Sequence, residues 1–326
     1  MKPVFDGEKV TAEFTAGKFH QGWNDVVHGG ILYTLLDEVN AYAMLCHGIE
    51  FGVTAKSEIR FKQIAPINEP IQASGWVTKM TKRLVETKGM LTLKDNTVVV
   101  DGDFLFYVWR QSKKTILWDM DGTISDSYSF HFAAWQESFA KRCIEFTRED
   151  FTKLFGTRND FIIGSAMGKE LLEGDVKMIV QEKEENFRQK AAGSVKPFPG
   201  AVRLLNAIKK GNFKLGLVSS APKENIDLVL RELSLEGIFD CIVFGQEVSE
   251  SKPSPQIYLL AAKKLGVTPN DCLVIEDSPL GVKAAKTAGM KCLAIANTHP
   301  RQKLKEADKV VDSLENMDLI SLLMGV

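Results

Sequence analysis

Hydrophobic and polar positions along the chain follow two rhythms. In residues 1–112 one long apolar stretch, Ile31–Cys46, is interrupted at Thr34, Asp37, Glu38 and Asn40. That is too apolar for a surface helix, so it predicts a helix wrapped on most sides. Its start is marked by His28-Gly29-Gly30. Strand-like runs follow near 53–63, 70–81, 84–94 and 97–109. Pro66, Asn68 and Pro70 separate the first two, then Lys82-Arg83, then Asp95-Asn96. A further strand is expected at 8–15. One long antiparallel sheet curled around one helix, an α+β arrangement, is the economical packing.

Residues 113–326 alternate instead. Short apolar strands are expected at 115–119, 214–219, 241–244, 272–276, 292–296 and 309–312, with helices near 199–211, 222–235, 254–266 and 279–289. Such alternation implies an α/β fold, a doubly wound parallel sheet covered by helices on both faces. The connection from the first strand to the second breaks the rhythm. Residues 128–192, rich in Glu, Lys, Phe and Ala, read as an inserted helical cap, taken as about 128–195. The joint between the halves is tight, near Arg110–Thr115, which gives domains of 1–112 and 113–326.

Composition agrees with two globular domains. The 326 residues are 44% hydrophobic and 25% charged, with Lys plus Arg 41 against Asp plus Glu 42. The balance is even in both halves. This excludes the basic excess of a nucleic-acid binder or an anionic-membrane binder. No apolar run approaches the roughly 20 residues of a membrane span. The N-terminal MKPVFDGEKV has no apolar secretory core. Cys46, Cys143, Cys241, Cys272 and Cys292 are scattered, form no CxxC pair, and read as thiols of a reducing cytoplasm.

The chemistry of the second half gathers at strand ends. In an open parallel sheet the site lies beyond the carboxyl ends of the strands. The first strand ends in Asp119-Met120-Asp121-Gly122-Thr123, the next at Ser219-Ser220, another at Glu276-Asp277-Ser278, and Lys252 follows the strand at 241–244. Carboxylates with hydroxyls and an ammonium at one edge form a constellation for Mg²⁺ and phosphate. Asp119 is the candidate nucleophile and metal ligand. Asp121 is the acid/base, and its main-chain carbonyl can reach the metal. Asp277, with Glu276 beside it, would hold Mg²⁺ from the far side. Ser219, Ser220 and Lys252 would hold the phosphoryl oxygens.

DMDGT, LVSSAPKEN, SKPSPQIY and LVIEDSPLGVKAAKTAGM, in that order, resemble the haloacid dehalogenase-like superfamily over about two thirds of the chain. Dehalogenases of that superfamily lack the second Asp, so Asp121 argues for phosphoryl transfer. Within it, the β-phosphoglucomutase-like branch is the nearest likeness. Ser129–Trp135 resembles the start of that branch's cap, which implies a place for His131 near the hinge; a surface histidine is the plainer alternative. Phe155-Gly156-Thr157-Arg158-Asn159-Asp160 resembles the cap's substrate loop. That likeness implies substrate contacts for Arg158 and Asn159, with Arg158 meeting a second anionic group. Lys183 falls where the family often has a cap lysine, or lies on a solvated helix face. The mutases usually carry a Lys just before the loop's Gly and place their Arg one residue later. Phe155 in the Lys position favours a phosphatase on a small sugar- or polyol-type monophosphate.

In the first half, Gly29 and Gly30 let a ligand approach the free N–H groups of a helix start. Asp37 is either a base in an apolar setting or part of a polar stripe with Thr34, Glu38 and Asn40. HGGILYTLLDEVNAYA, then TAKSEIRFKQIAPINEPIQASGWV, then GDFLFYV, resembles the hotdog-fold acyl-CoA thioesterases of the phenylacetyl-CoA-pathway type. The likeness implies Asp37 as nucleophile or base, Gly29 and Gly30 as thioester-binding amides and His28 as a positioning residue. It further implies a homodimer with its site at the interface. Lys56, Arg60 and Lys62 would meet CoA phosphates or lie on a plain exposed strand face.

The reading is therefore a cytoplasmic bifunctional hydrolase, with Mg²⁺ as cofactor and a small phosphate ester and an acyl-CoA as substrates. Two alternatives stay open: a phosphatase whose first domain only dimerises or binds a ligand, and a phosphosugar mutase.

Overall fold

The computed structural model describes residues 1–326 except 50, 82, 111–114, 169–172, 212, 325 and 326. The expected joint at Arg110–Thr115 falls largely outside the described residues. The chain forms two compact units. One comprises Met1–Lys113 with Ala207–Phe213 and Asp318–Gly325; the other comprises Lys114–Asn206 and Lys214–Met317. Among the described residues no helix is long and apolar enough to cross a membrane.

The first unit begins with β1 (Val4–Phe5), β2 (Lys9–Thr15) and a small hairpin of β3 (Gln21–Trp23) and β4 (Val26–Val27). Helix α1 (Gly29–Cys46) follows, then β5 (Phe51–Phe61), β6 (Pro70–Met80), β7 (Leu84–Thr92) and β8 (Val98–Arg110). The long strands form one antiparallel sheet in the order β1-β2-β6-β7-β8-β5. Period-two burial is clear in β7, where Val85, Thr87, Gly89 and Leu91 point inward and Leu84, Glu86 and Lys88 outward. α1 lies on the inner face and buries Leu32, Leu35, Leu36, Val39, Asn40, Ala43 and Met44.

A row of glycines lets the helix come this close. Gly75 pairs with Gly89, and Gly89 with Gly102, across three neighbouring strands. A Cβ on Gly75 would lie 2.8 Å from the Val39 carbonyl oxygen, and one on Gly89 2.4 Å from Asn40 Nδ2. The β3–β4 hairpin and β1 are not marked by the sequence pattern, being too short to show a period.

The second unit is α/β. Its strands are β9 (Thr115–Trp118), β10 (Lys214–Val218), β11 (Cys241–Val243), β12 (Cys272–Glu276), β13 (Lys291–Ile295) and β14 (Lys309–Val311). They form one parallel sheet in the order β11-β10-β9-β12-β13-β14. β9 and β12 are buried along their whole length, as central parallel strands are. The order reverses between them, and there the carboxyl ends open a crevice.

Between β9 and β10 the cap has four helices among the described residues. They are α2 (Tyr128–Ala140), α3 (Arg148–Leu154), α4 (Asn159–Met167) and α5 (Glu173–Ala191). The cap has its own aromatic core of Trp135, Phe139, Phe146, Phe151 and Phe155, with Ile162, Ile163 and Ile179. Helices α6 (Ala201–Lys210), α7 (Lys223–Glu232), α8 (Gln256–Leu265) and α9 (Pro279–Thr287) alternate with the later strands. A last helix, α10 (Leu319–Met324), belongs to the first unit, where it packs on α1 and β1.

Candidate active site

β9 ends one residue before Asp119, whose amide donates to the Ile275 carbonyl on β12 and so keeps the strand path to the sheet edge. The chain then turns sharply at Gly122, which has φ +93°. A Cβ there would lie 2.2 Å from Asp277 Oδ2, so glycine is required for the turn and for the approach. These local constraints bring Asp119, Asp121, Ser219, Lys252, Glu276 and Asp277 together at one sheet edge, each nearly inaccessible to solvent. Ser220, half-buried, joins Ser219 on the cavity wall.

Lys252 is the hub. Its Nζ donates to Asp119 Oδ1 and to Glu276 Oε1, both at 2.6 Å. The Tyr258 hydroxyl also donates to Glu276 Oε1, at 3.0 Å. Glu276 Oε2 accepts from the Asp277 and Ser278 amides and the Ser278 hydroxyl. Both of its oxygens therefore face protein donors. Burial alone would raise the Glu276 carboxyl, but the Lys252 charge and these hydrogen bonds hold it below the usual range. Burial pushes Asp277 up to about 8, with Glu276 adding to the rise. Burial raises Asp119 as well, against the Lys252 charge.

Carboxylate oxygens of Asp119, Glu276 and Asp277 lie within 4.8 Å of one another. The donor set is oxygen throughout, and the neighbouring carboxylates add to the rise that burial gives Asp119 and Asp277. A hard divalent cation fits such a set. The Glu276 lone pairs also serve Lys252, Tyr258 and the turn at Ser278. Thr123 Oγ1 donates to Asp277 Oδ1 at 2.9 Å, and the Thr298 hydroxyl donates to Oδ2.

The Asp121 carboxylate points toward the cap, away from that cluster. Its Oδ1 accepts from Ser127 Oγ at 2.5 Å and from His131 Nε2 at 3.3 Å. The His131 ring stacks on Phe187, and its Nδ1 lies 3.0 Å from Lys183 Nζ. An ammonium only donates, so Nδ1 accepts and Nε2 carries the proton given to Asp121. Burial and the Lys183 charge hold His131 below its ordinary value, hence neutral. Burial would raise Asp121, but His131, Ser127 and Lys183 outweigh it and keep it ionised. Lys183 is thus a buried site residue, not one on a solvated helix face.

Asp119, Asp121, Ser219, His131, Asn159 and Lys183 line one cavity of about 40 Å³. Arg158 does not line it. Its guanidinium donates to the Val248 carbonyl and pairs with Asp160, while its amide donates to Ser251 Oγ at 2.9 Å. The cap-loop arginine is therefore committed to the loop that carries Lys252. Glu184, which the sequence did not single out, and Asn225, the last residue of LVSSAPKEN, complete the polar web. Glu184 accepts from Lys183, Asn159 and Asn225. No short motif signals Glu184, because the web joins α4, α5 and α7.

In the first unit, His28 is the N-cap of α1. Its Nδ1 accepts from the Gly30 amide at 2.9 Å, so that amide is spent on the cap. Asp37 is half-buried two turns along the same helix and accepts from Thr54 Oγ1 on β5 at 2.7 Å. Arg60 pairs with Asp101 and Asp103, and Lys62 with Asp101. Lys56 lines an open groove of the sheet with Glu58, Glu86, Lys88 and Asp103.

Comparison with known proteins follows the two units. Residues 116–295 match the family model for haloacid dehalogenase-like hydrolase, and residues 24–100 match that for the thioesterase superfamily. The chain is 32% identical over 215 residues to the β-phosphoglucomutase of Bacillus subtilis, covering 63% of this chain and 92% of that protein. It is 33% identical over 185 residues to the phosphorylated carbohydrates phosphatase of Thermotoga maritima, covering 55% and 82%. The crystal structure of β-phosphoglucomutase from Clostridium difficile superposes with a TM-score of 0.60 at 26% identity, covering 65% of this chain and 96% of that one.

Proposed function

The chain belongs to the haloacid dehalogenase-like hydrolases, and from that membership we propose that residues 113–326 hydrolyse phosphate monoesters with Mg²⁺, through a phosphoryl group carried on Asp119. The observation that carries this reading is that Asp119 and Asp121 face the same cavity while Lys252 donates to Asp119 Oδ1. Asp119 attacks phosphorus, and the bond to the ester oxygen breaks. Asp121 gives that oxygen a proton. It rests as a carboxylate, and the phosphate's own negative charge beside it favours the protonated form. The alcohol leaves, Asp121 takes a proton from water, and the hydroxide oxygen attacks the phosphoryl group. Phosphate departs and Asp119 is restored. Ser219 and Lys252 hold phosphoryl oxygens throughout. Mg²⁺ held by Asp119, Asp277 and the Asp121 carbonyl would keep the carboxylates ionised and supply charge to the phosphoryl oxygens.

Hydrolysis is favoured over mutase chemistry because Arg158 is held by Val248 and Asp160. A mutase must hold two phosphates in turn. The test is Asp119→Asn, assayed on p-nitrophenyl phosphate with Mg²⁺. The rate should fall roughly 10³-fold or more, and EDTA should silence the wild-type protein. A variant that keeps more than a few per cent of the rate removes the nucleophile, and turnover in EDTA removes the metal.

For residues 1–112 the reading is acyl-CoA thioester hydrolysis in a homodimer, with Asp37 as nucleophile or base. A specific observation supports a second reading, a dimerising or ligand-binding domain. The Gly30 amide is occupied by His28, and Arg60 and Lys62 are paired with aspartates rather than open to CoA phosphates.

A further inference from the structure

The cavity above Asp119 has a charge pattern of its own. Its wall on the cap side carries one cation, Lys183, and one carboxylate, Glu184, beside the Asn159 amide. Lys183 Nζ lies 3.0 Å from Glu184 Oε1, and their side chains are 2% and 5% exposed. Asn159 Nδ2 donates to Glu184 Oε1 and Asn225 Nδ2 to Oε2, both at 2.6 Å. Arg188 in turn donates to Asn225 Oδ1, which fixes the amide orientation. The carboxylate is therefore built in by contacts from α4, α5 and α7. Burial would raise it, but the Lys183 charge and the two amides keep it ionised. The cation beside it is matched, and Arg158, the other cation expected here, is engaged by Val248 and Asp160.

We propose that Glu184 sets the substrate class of this site: it turns away phosphate esters whose alcohol part carries a second anionic group, and accepts those whose alcohol part is neutral and hydroxylated. This rests on the phosphatase reading above and deepens it. A phosphate or carboxylate placed on that wall would meet a buried like charge with no unmatched cation among the described lining residues, at low effective dielectric. A hydroxyl can donate to Glu184 and accept from Asn159. Trp135, Phe155 and Ile162 supply apolar walls for carbon. Glu184 acts by charge on the cap side of the pocket.

The test uses two probes of nearly equal size, glycerol 3-phosphate and 3-phosphoglycerate, which differ by a hydroxymethyl group against a carboxylate. Each is measured as a competitive inhibitor of p-nitrophenyl phosphate hydrolysis in Mg²⁺. For the wild-type protein, the inhibition constant of glycerol 3-phosphate should be roughly tenfold or more below that of 3-phosphoglycerate. Glu184→Gln should shrink that ratio about tenfold, chiefly by tightening 3-phosphoglycerate. Glu184→Asp, which keeps the charge, should preserve the ratio even at a lower rate. Equal inhibition constants in the wild type, no competition by glycerol 3-phosphate, or an unchanged ratio in Glu184→Gln would overturn the proposal. Should Glu184→Gln not fold, the wild-type and Glu184→Asp ratios still decide it. Failure of the phosphatase reading has a different signature: no hydrolysis of p-nitrophenyl phosphate that Asp119→Asn abolishes.

Discussion

Asp308 shows how one side chain can tie two elements together. Its carboxylate accepts from Lys286 Nζ at 2.7 and 2.8 Å and from the Cys292 amide at 2.7 Å, which links α9 to β13. Burial opposes the charge, but the ammonium and the amide outweigh it and hold the group below its ordinary value. A depressed folded value means stability that is present above about pH 4 and lost as pH falls through that folded value. Asp308→Asn should therefore cost about 1 kcal/mol at neutral pH, with the pair's partial exposure already discounted. The gap from wild type should close as pH falls below about 4. Urea midpoints at the two pH values measure it, and a gap independent of pH would show that the Lys286 charge contributes nothing.

At the scale of elements, α1 and its sheet depend on backbone proximity more than on side-chain volume. The Gly75-Gly89-Gly102 row is where helix and strands come nearest. Gly75→Ala would put a methyl against the Val39 carbonyl, a main-chain atom that cannot rotate away. The expected loss is about 1–3 kcal/mol, read from the thermal transition of the first unit. An Ala tolerated without loss would mean the helix can shift on the sheet. The alternation of β7 was legible from its residues, and so was the apolar character of α1. The glycine row was not, because it exists only once three strands are in register.

At the scale of the molecule, the question is whether the two units act separately. Asp37→Ala, tested by thiol release from a panel of aryl- and acyl-CoAs, should lose any thioesterase activity while phosphatase activity stays at the wild-type level. No turnover across the panel by a wild-type protein that still hydrolyses p-nitrophenyl phosphate would make the first unit a binding or dimerising domain. That outcome would agree with the capped Gly30 amide.

By itself the sequence determined what short-range chemistry can encode. The two rhythms give an antiparallel and a parallel sheet. Asp119, Asp121, Ser219 and Asp277 are legible because each sits one to three residues beyond a strand, and strand ends converge in a parallel sheet. What tertiary structure decided are the relations between segments far apart in the chain. Arg158 looked like a ligand for an anion, yet packing gives its guanidinium to Val248 and Asp160. Glu184 looked like one charge among many in α5, yet three helices bury it in the cavity wall. Leu319–Met324 has no local sign that it joins the first unit. Local pattern reports which face of an element is apolar. Which partner covers that face, and which charge is left unmatched, depends on contacts that form only when the whole chain has folded.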